Sequence, residues 1–275
     1  MILLDKSKFE KVIIPLREIT FNTLFAQAVV ERKIEGKIFV DNTEVPETFY
    51  IIHPYGMSLL FGKTNNYDFN ANFLEYACNA FKVRSKNEWL QVYPDEWNKK
   101  LSDLFGDKCI KSTENQTNDK TKIEENTRVN FKFNLKKYLS FKSSINTNNY
   151  NILRTDKNIF ETFKGSVVPE YFWRDADQFL NLGVGFSLIL ENQIASTAFS
   201  AYITNNQLEI GIETRENYRG KGFALHTCSA LLDYCIEHHY EPIWACRLEN
   251  TGSFLLAQKL GFEPILYTPY YRLIN

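Results

Sequence analysis

No run in this chain approaches the roughly 18 consecutive apolar residues that a membrane-spanning helix needs. A secretory leader is not expected either, because "MILLDKSKFEKVIIPL" interrupts its apolar residues with Asp5, Lys6, Lys8, Glu10 and Lys11 and so has no unbroken apolar core. These absences predict a cytoplasmic protein that keeps its first residues and has no membrane partner. Basic excess is lacking: 32 Lys and Arg stand against 33 Asp and Glu, for a formal net charge of -1. With no cation surplus to neutralise phosphates, nucleic acid is not an expected partner. The five cysteines, Cys78, Cys109, Cys228, Cys235 and Cys246, form no CxxC pair, which argues against a disulfide framework or a zinc cluster. Cys228 and Cys235 fall on one helix face and are expected as buried thiols. His53, His226, His238 and His239 show no ligand spacing and HExxH is absent, so no metal is expected.

What the chain does have is 275 residues with 44% hydrophobic content, enough for two modest cores. The stretch "KSTENQTNDKTKIEEN", Lys111 to Asn126, holds one apolar residue and is expected as a mobile loop, since it cannot bury enough surface to offset ordering. A second polar seam, "SSINTNNYN", follows the strand-like "RVNFKFN" and the helical "LKKYLSF". It sets an expected domain boundary near Ile145, giving domains 1–145 and 146–275.

Beyond the seam the pattern reads as a strand "YNILRT", a helix "PEYFWRDADQFLNLG", three strands "VGFSLILE", "QIASTAFSAYIT" and "QLEIGIET", a long helix after Arg219, and a strand "EPIWACRL". A helix "NTGSFLLAQKLG", capped by Asn250 and ended by Gly261, and closing strand material follow. This is a mixed α/β (α+β) domain. Before the seam stand a helix "REITFNTLFAQAVVERK", strands "GKIFVD", "TFYIIHP" and "MSLLFG", a helix "DFNANFLEYACNAF", a strand "EWLQVYP" and a helix "DEWNKKLSDLF". The shared order admits two readings of the first half: a degenerate copy of the second, or an unrelated α/β domain. Its counterpart loop, "KTNNYDFN", lacks glycine and sets Asp68 where a carboxylate would cap the helix N-H groups.

The loop "NYRGKGFA" follows "LEIGIET" directly and opens the long helix. Its first N-H groups have no intrahelical partner, and Gly220 and Gly222 leave room for a close ligand. The helix dipole favours an anion there, with Arg219 and Lys221 adding attraction. A glycine turn that binds nothing is the plain alternative. GxxxxGK[ST] is absent and GxGxxG lacks its third glycine, so nucleotide hydrolysis and hydride transfer recede.

"RGKGFA" resembles the pyrophosphate motif Q/R-x-x-G-x-G/A of the GNAT superfamily of N-acetyltransferases, with Arg219, Gly222 and Ala224 on its fixed positions. "EPIWACRLENTGSFLLAQKLGF" supplies Asn250, Ser253 and Gly261-Phe262 in the order that superfamily has. Together with "GKIFVDNTEVPETFYIIHPYGMSLLFG", "EWLQVYP" and "VPEYFWRDADQFLNLGVGFSLI", most of the chain resembles the bacterial GNAT family that includes the zwittermicin A resistance acetyltransferase. The resemblance implies a GNAT fold in the C-terminal half and acetyl-CoA as donor. It also implies an amine acceptor, a small molecule such as an antibiotic or metabolite, attacking the thioester directly in a ternary complex without metal. The pyrophosphate would rest on N-H groups of Arg219, Gly220, Lys221, Gly222, Phe223 and Ala224, and pantetheine on Ile212, Glu213 and Thr214, with Asn250 and Ser253 opposite.

Glu209 and Glu213 share a strand face at even spacing and are the candidate bases; two solvated carboxylates are the plain alternative. The superfamily's tyrosine seven positions after the asparagine, which protonates the thiolate, is replaced by Ala257. That replacement leaves open a non-catalytic CoA-binding sensor or scaffold. Tyr267, Tyr270 and Tyr271 stand in as candidate acids, with strand packing as the alternative. Tyr171 and Trp173 are candidates to line the amine pocket or to fill the core. Nothing in the sequence sets the oligomeric state.

Overall fold

Each switch between alternating and helix-spaced apolar residues starts a new element. The computed structural model describes residues 1–112, 119–144, 150–204 and 206–275. In chain order the first half holds β1 (Ile2–Leu3), α1 (Glu10–Arg17), α2 (Leu24–Val30), β2 (Lys37–Val40), β3 (Thr48–Ile52), β4 (Met57–Gly62), α3 (Tyr67–Ala77), β5 (Glu88–Tyr93), α4 (Glu96–Phe105), β6 (Cys109–Lys111) and β7 (Ile123–Phe133). The helix expected over "REITFNTLFAQAVVERK" is shorter, since α1 ends at its first residue, Arg17, and only Leu24–Val30 continues as α2. The Asn22 side chain accepts the Leu24 N-H at 3.0 Å, an Asx contact at the start of α2.

The second half holds α5 (Leu135–Lys142), β8 (Asn151–Arg154), α6 (Lys157–Thr162), α7 (Ala176–Leu182), β9 (Gly185–Leu190), β10 (Gln193–Thr204), β11 (Gln207–Thr214), α8 (Phe223–Glu237), β12 (Glu241–Ile243), β13 (Ala245–Arg247), α9 (Thr251–Lys259) and β14 (Phe262–Leu273). Two expectations are corrected. The helix over "PEYFWRDADQFLNLG" starts only at Ala176, because Asp175 is its N-cap and accepts the Gln178 N-H at 2.7 Å. The strand over "EPIWACRL" divides at Trp244, β12 pairing with β11 and β13 with β7.

Residues Met1–Val129, Arg247–Glu249 and Tyr267–Asn275 form one compact unit, and Asn130–Cys246 with Asn250–Leu266 form another. The boundary expected near Ile145 lies outside the described residues, as do residues 113–118 of the expected mobile loop. In the first unit β2, β3 and β4 make an antiparallel meander and β5 joins β4 in parallel. Phe73, Leu90, Trp97 and Leu101 pack its core. Strand β14 joins the other edge of β5: Tyr271, Arg272 and Leu273 pair with Leu90, Trp89 and Glu88.

In the second unit β9, β10 and β11 form the meander and β12 joins β11 in parallel. Helix α8 buries Cys228, Leu231, Leu232 and Cys235 completely; the two thiols are core residues, with burial pushing Cys235 up to about 12. Both halves therefore run meander, helix, parallel strand.

Candidate functional site

The second unit places its sequence motif where two strands part. Strand β12 pairs with β11 only through Gln207, Leu208 and Glu209, which face Glu241, Pro242 and Ile243. From Ile210 to Thr214 the opposite edge stays on β10, and among the described residues no strand lines the outer edge. Backbone N-H and C=O groups that water or a ligand must satisfy are therefore available there, of the kind an extended amide chain can use.

The loop at the end of this edge has the form an anion needs. Gly220 and Gly222 take φ of +77° and +84°, in the left-handed region, and a Cβ at either would meet no atom within 4 Å. Gly222 is the N-cap of α8 and supplies no side-chain cap, so the helix presents its first N-H groups outward. Lys221 is exposed, with its Nζ 5.4 Å from the Tyr218 ring centroid. Phe223 turns its ring into the core beside Leu188 and Ala195, leaving backbone only to the loop, and Ala224 is half-buried.

Arg219 turns toward the strand. Its Nε donates to the Thr214 carbonyl at 3.0 Å and its Nη2 to Glu213 Oε1 at 3.2 Å, so the guanidinium braces the loop against the strand. Thr214 shares a hydroxyl hydrogen bond with Ser196 (2.8 Å), and Ile212 lies half-buried beside it. On the far side, Asn250 caps α9 by accepting the Ser253 N-H at 3.2 Å. Ser253 Oγ accepts from Trp244 Nε1 at 3.2 Å. Ala257 is fully buried, so no acid stands at that position.

The two glutamates keep one face. The register shift lies in β10, between Ser200 and Tyr202, and leaves the even spacing of β11 intact. Glu209 is 6% exposed and stands opposite Tyr202. Glu213 is spent otherwise: its Oε2 accepts the N-H groups of Ser166 at 2.8 Å and Val167 at 2.9 Å. No motif in the sequence marks Gly165 to Val167 as its partners. Trp173 is buried and donates to the Ser200 carbonyl at 2.7 Å, a core role, while Tyr171 is exposed. In the first unit Tyr271 is buried and donates to Asn98 Oδ1 at 3.0 Å. Tyr270 stacks on Trp89 with centroids 5.2 Å apart, and Tyr267 is exposed.

In the first unit the corresponding strands stay paired. Strand β4 pairs with β5 along Met57 to Phe61, so its strands do not part. Helix α3 is capped by Asn66, which accepts the Phe69 N-H at 2.9 Å. This corrects the expectation for Asp68, which sits inside the first turn; the side chain one residue ahead of the helix has the right geometry.

Among the described residues no group of three His, Cys, Asp or Glu side chains could hold a metal ion, and no helix is long and apolar enough to cross a membrane.

The family model of GNAT acetyltransferase matches residues 16–271. The chain is 28% identical over 251 residues to the uncharacterized N-acetyltransferase YdfB of Bacillus subtilis (strain 168), covering 90% of this chain and 89% of that protein. Among solved structures it is similar to a GCN5-related N-acetyltransferase-like protein from Streptococcus suis 89/1591, with a TM-score of 0.70 at 20% identity over 96% of this chain and 98% of that one. A tandem GNAT protein from the clavulanic acid biosynthesis pathway gives a TM-score of 0.58 at 10% identity, covering 98% and 97%.

Proposed function

Because the chain belongs to the GNAT acetyltransferase family, we propose that its second unit binds acetyl-CoA and transfers the acetyl group to the amine of a small molecule, by direct attack in a ternary complex. The observation that carries this reading is the open strand edge from Ile210 to Thr214 ending in an uncapped glycine loop. An amide-containing arm fits the edge, and a pyrophosphate fits the N-H groups from Gly220 to Ala224. Asn250 and Ser253 approach the arm from α9.

Glu209 is the proposed general base. It stands on β11 where the strands begin to part, so an amine held there lies within reach of its carboxylate. The amine nitrogen bonds to the acetyl carbon, the carbon–sulfur bond breaks, the proton passes to Glu209 directly or through water, and sulfur leaves as thiolate. The buried Ala257 favours a second reading, a CoA-binding sensor without turnover. The two separate on one assay: incubation with acetyl-CoA and a panel of polyamines, aminoglycosides, amino acids and peptides, with thiol release measured. Release with an amine supports transfer; thermal stabilisation by acetyl-CoA without release across the panel supports the sensor.

A further inference from the structure

Glu213 gathers two segments on one carboxylate. Its Oε2 accepts from the Ser166 and Val167 N-H groups (2.8 and 2.9 Å), and its Oε1 accepts from Arg219 Nη2 (3.2 Å). The side chain is 7% exposed against 60% for Arg219, so the fixed carboxylate is the buried anchor and the guanidinium the movable end. Packing leaves no slack on the anchor: a Cβ on Gly165 would come within 2.6 Å of Glu213 Cγ. Val168, next along, is buried with Ile159 and Phe163. A second tie runs in parallel, the Arg215 guanidinium lying 5.7 Å from the Phe163 ring centroid. The segment so held leads directly to the exposed Tyr171.

We propose that Glu213 is a positioning residue that couples the glycine loop to segment 165–167, so that an anion held on the loop orders the segment leading to Tyr171. The proposal rests on the reading that the second unit binds acetyl-CoA. Arg219 carries five N-H donors in a planar fork. With Nε on Thr214 and Nη2 on Glu213, it retains donors for a phosphate. A phosphate that holds the guanidinium in this orientation strengthens its bond to Glu213 and, through that carboxylate, both backbone bonds to the segment. Linkage makes the effect reciprocal, so an ordered segment also tightens the loop around its anion.

The test is amide hydrogen exchange of the full chain, read on peptides covering residues 163–171, with and without acetyl-CoA. In the wild type acetyl-CoA slows exchange there about fivefold, the lower end of ordinary coupling. Glu213→Gln keeps one oxygen for the two N-H groups but turns an amide donor toward Arg219. It binds acetyl-CoA within about fivefold of the wild type and loses the slowing. Arg219→Met breaks the same link from the other end, and serves if the glutamine variant fails to fold. A wild type stabilised against heat by acetyl-CoA whose exchange at 163–171 does not change overturns the coupling alone. So does a variant whose exchange rises equally with and without acetyl-CoA, since that marks a passive strut. A wild type that acetyl-CoA does not stabilise overturns the donor reading and this one with it.

Discussion

Glu209 lies beside Ile243 in the parallel register of β11 and β12, and theirs is the last pair before the two strands part. The buried carboxylate thus stands at the apex of the opening, while Glu213, four residues further on the same face, is held by Ser166, Val167 and Arg219. One strand carries two carboxylates in different surroundings.

Glu209→Gln is expected to lower turnover by about 10²-fold or more while leaving acetyl-CoA affinity unchanged, since it removes a proton acceptor and no donor contact. Steady-state thiol release and a thermal-shift titration with acetyl-CoA check the two halves. Wild-type turnover in the variant transfers the role to another group.

Gly222→Glu is expected to lose the thermal stabilisation that acetyl-CoA gives the wild type, because it puts a carboxylate where the loop's N-H groups meet an anion. Backbone strain alone does not explain such a loss if Gly106→Glu retains the shift. Gly106 also has positive φ (+49°) and nothing within 4 Å of its Cβ position, and it belongs to the first unit. Equal shifts in wild type and Gly222→Glu would count against the loop.

Gly261 ends α9 at φ +87°, where a Cβ would come within 2.7 Å of the Tyr138 backbone N and 3.0 Å of the Asn134 carbonyl. Gly261→Ala is therefore expected to cost about 2 kcal/mol or more, combining left-handed strain with a backbone clash. Gly220→Ala, with φ +77° and open space, carries the strain alone and is expected to cost about 1 kcal/mol. Urea unfolding midpoints of the two variants distinguish these outcomes.

His53 is fully buried and its Nδ1 accepts the Tyr55 N-H at 3.0 Å. Burial, with Lys86 adding repulsion, lowers its pKa to about 3. Below pH 6.5 the unfolded chain binds a proton that the folded chain does not, so stability falls as pH drops from about 6.5 toward 3. The slope approaches 1.4 kcal/mol per pH unit, roughly; above pH 6.5 the residue contributes none of this dependence. His53→Gln is expected to flatten the loss of melting temperature between pH 6 and pH 4, about two units. An unchanged pH profile would refute the assignment.

Much of the fold was legible because its signals are local. Alternation marked the two meanders, apolar spacing marked α3, α4 and α8, and Asn250 and Gly261 bounded α9 as their side-chain chemistry requires. The glycine loop was legible for the same reason, since positive φ and an uncapped helix start are properties of a few adjacent residues. The errors were local signals of the wrong reach. A helix-spaced pattern ran across Asn22 and across Asp175, whose side chains divert backbone N-H groups and open a new helix.

By itself the sequence determined the order of the elements and the glycine loop with its helix. Tertiary structure alone decided that the strand splits at Trp244, that β11 and β12 part after Glu209, that Arg219 turns back to the strand, and that Tyr271 packs in the first unit. The physical reason is distance along the chain. Caps, turns and periodicity are set by residues within a few positions, whereas the backbone N-H partners of Glu213 lie 46 and 47 residues away and the Asn98 partner of Tyr271 lies 173 residues away. Which donor meets a carboxylate is settled only when segments that the sequence does not place side by side are packed together.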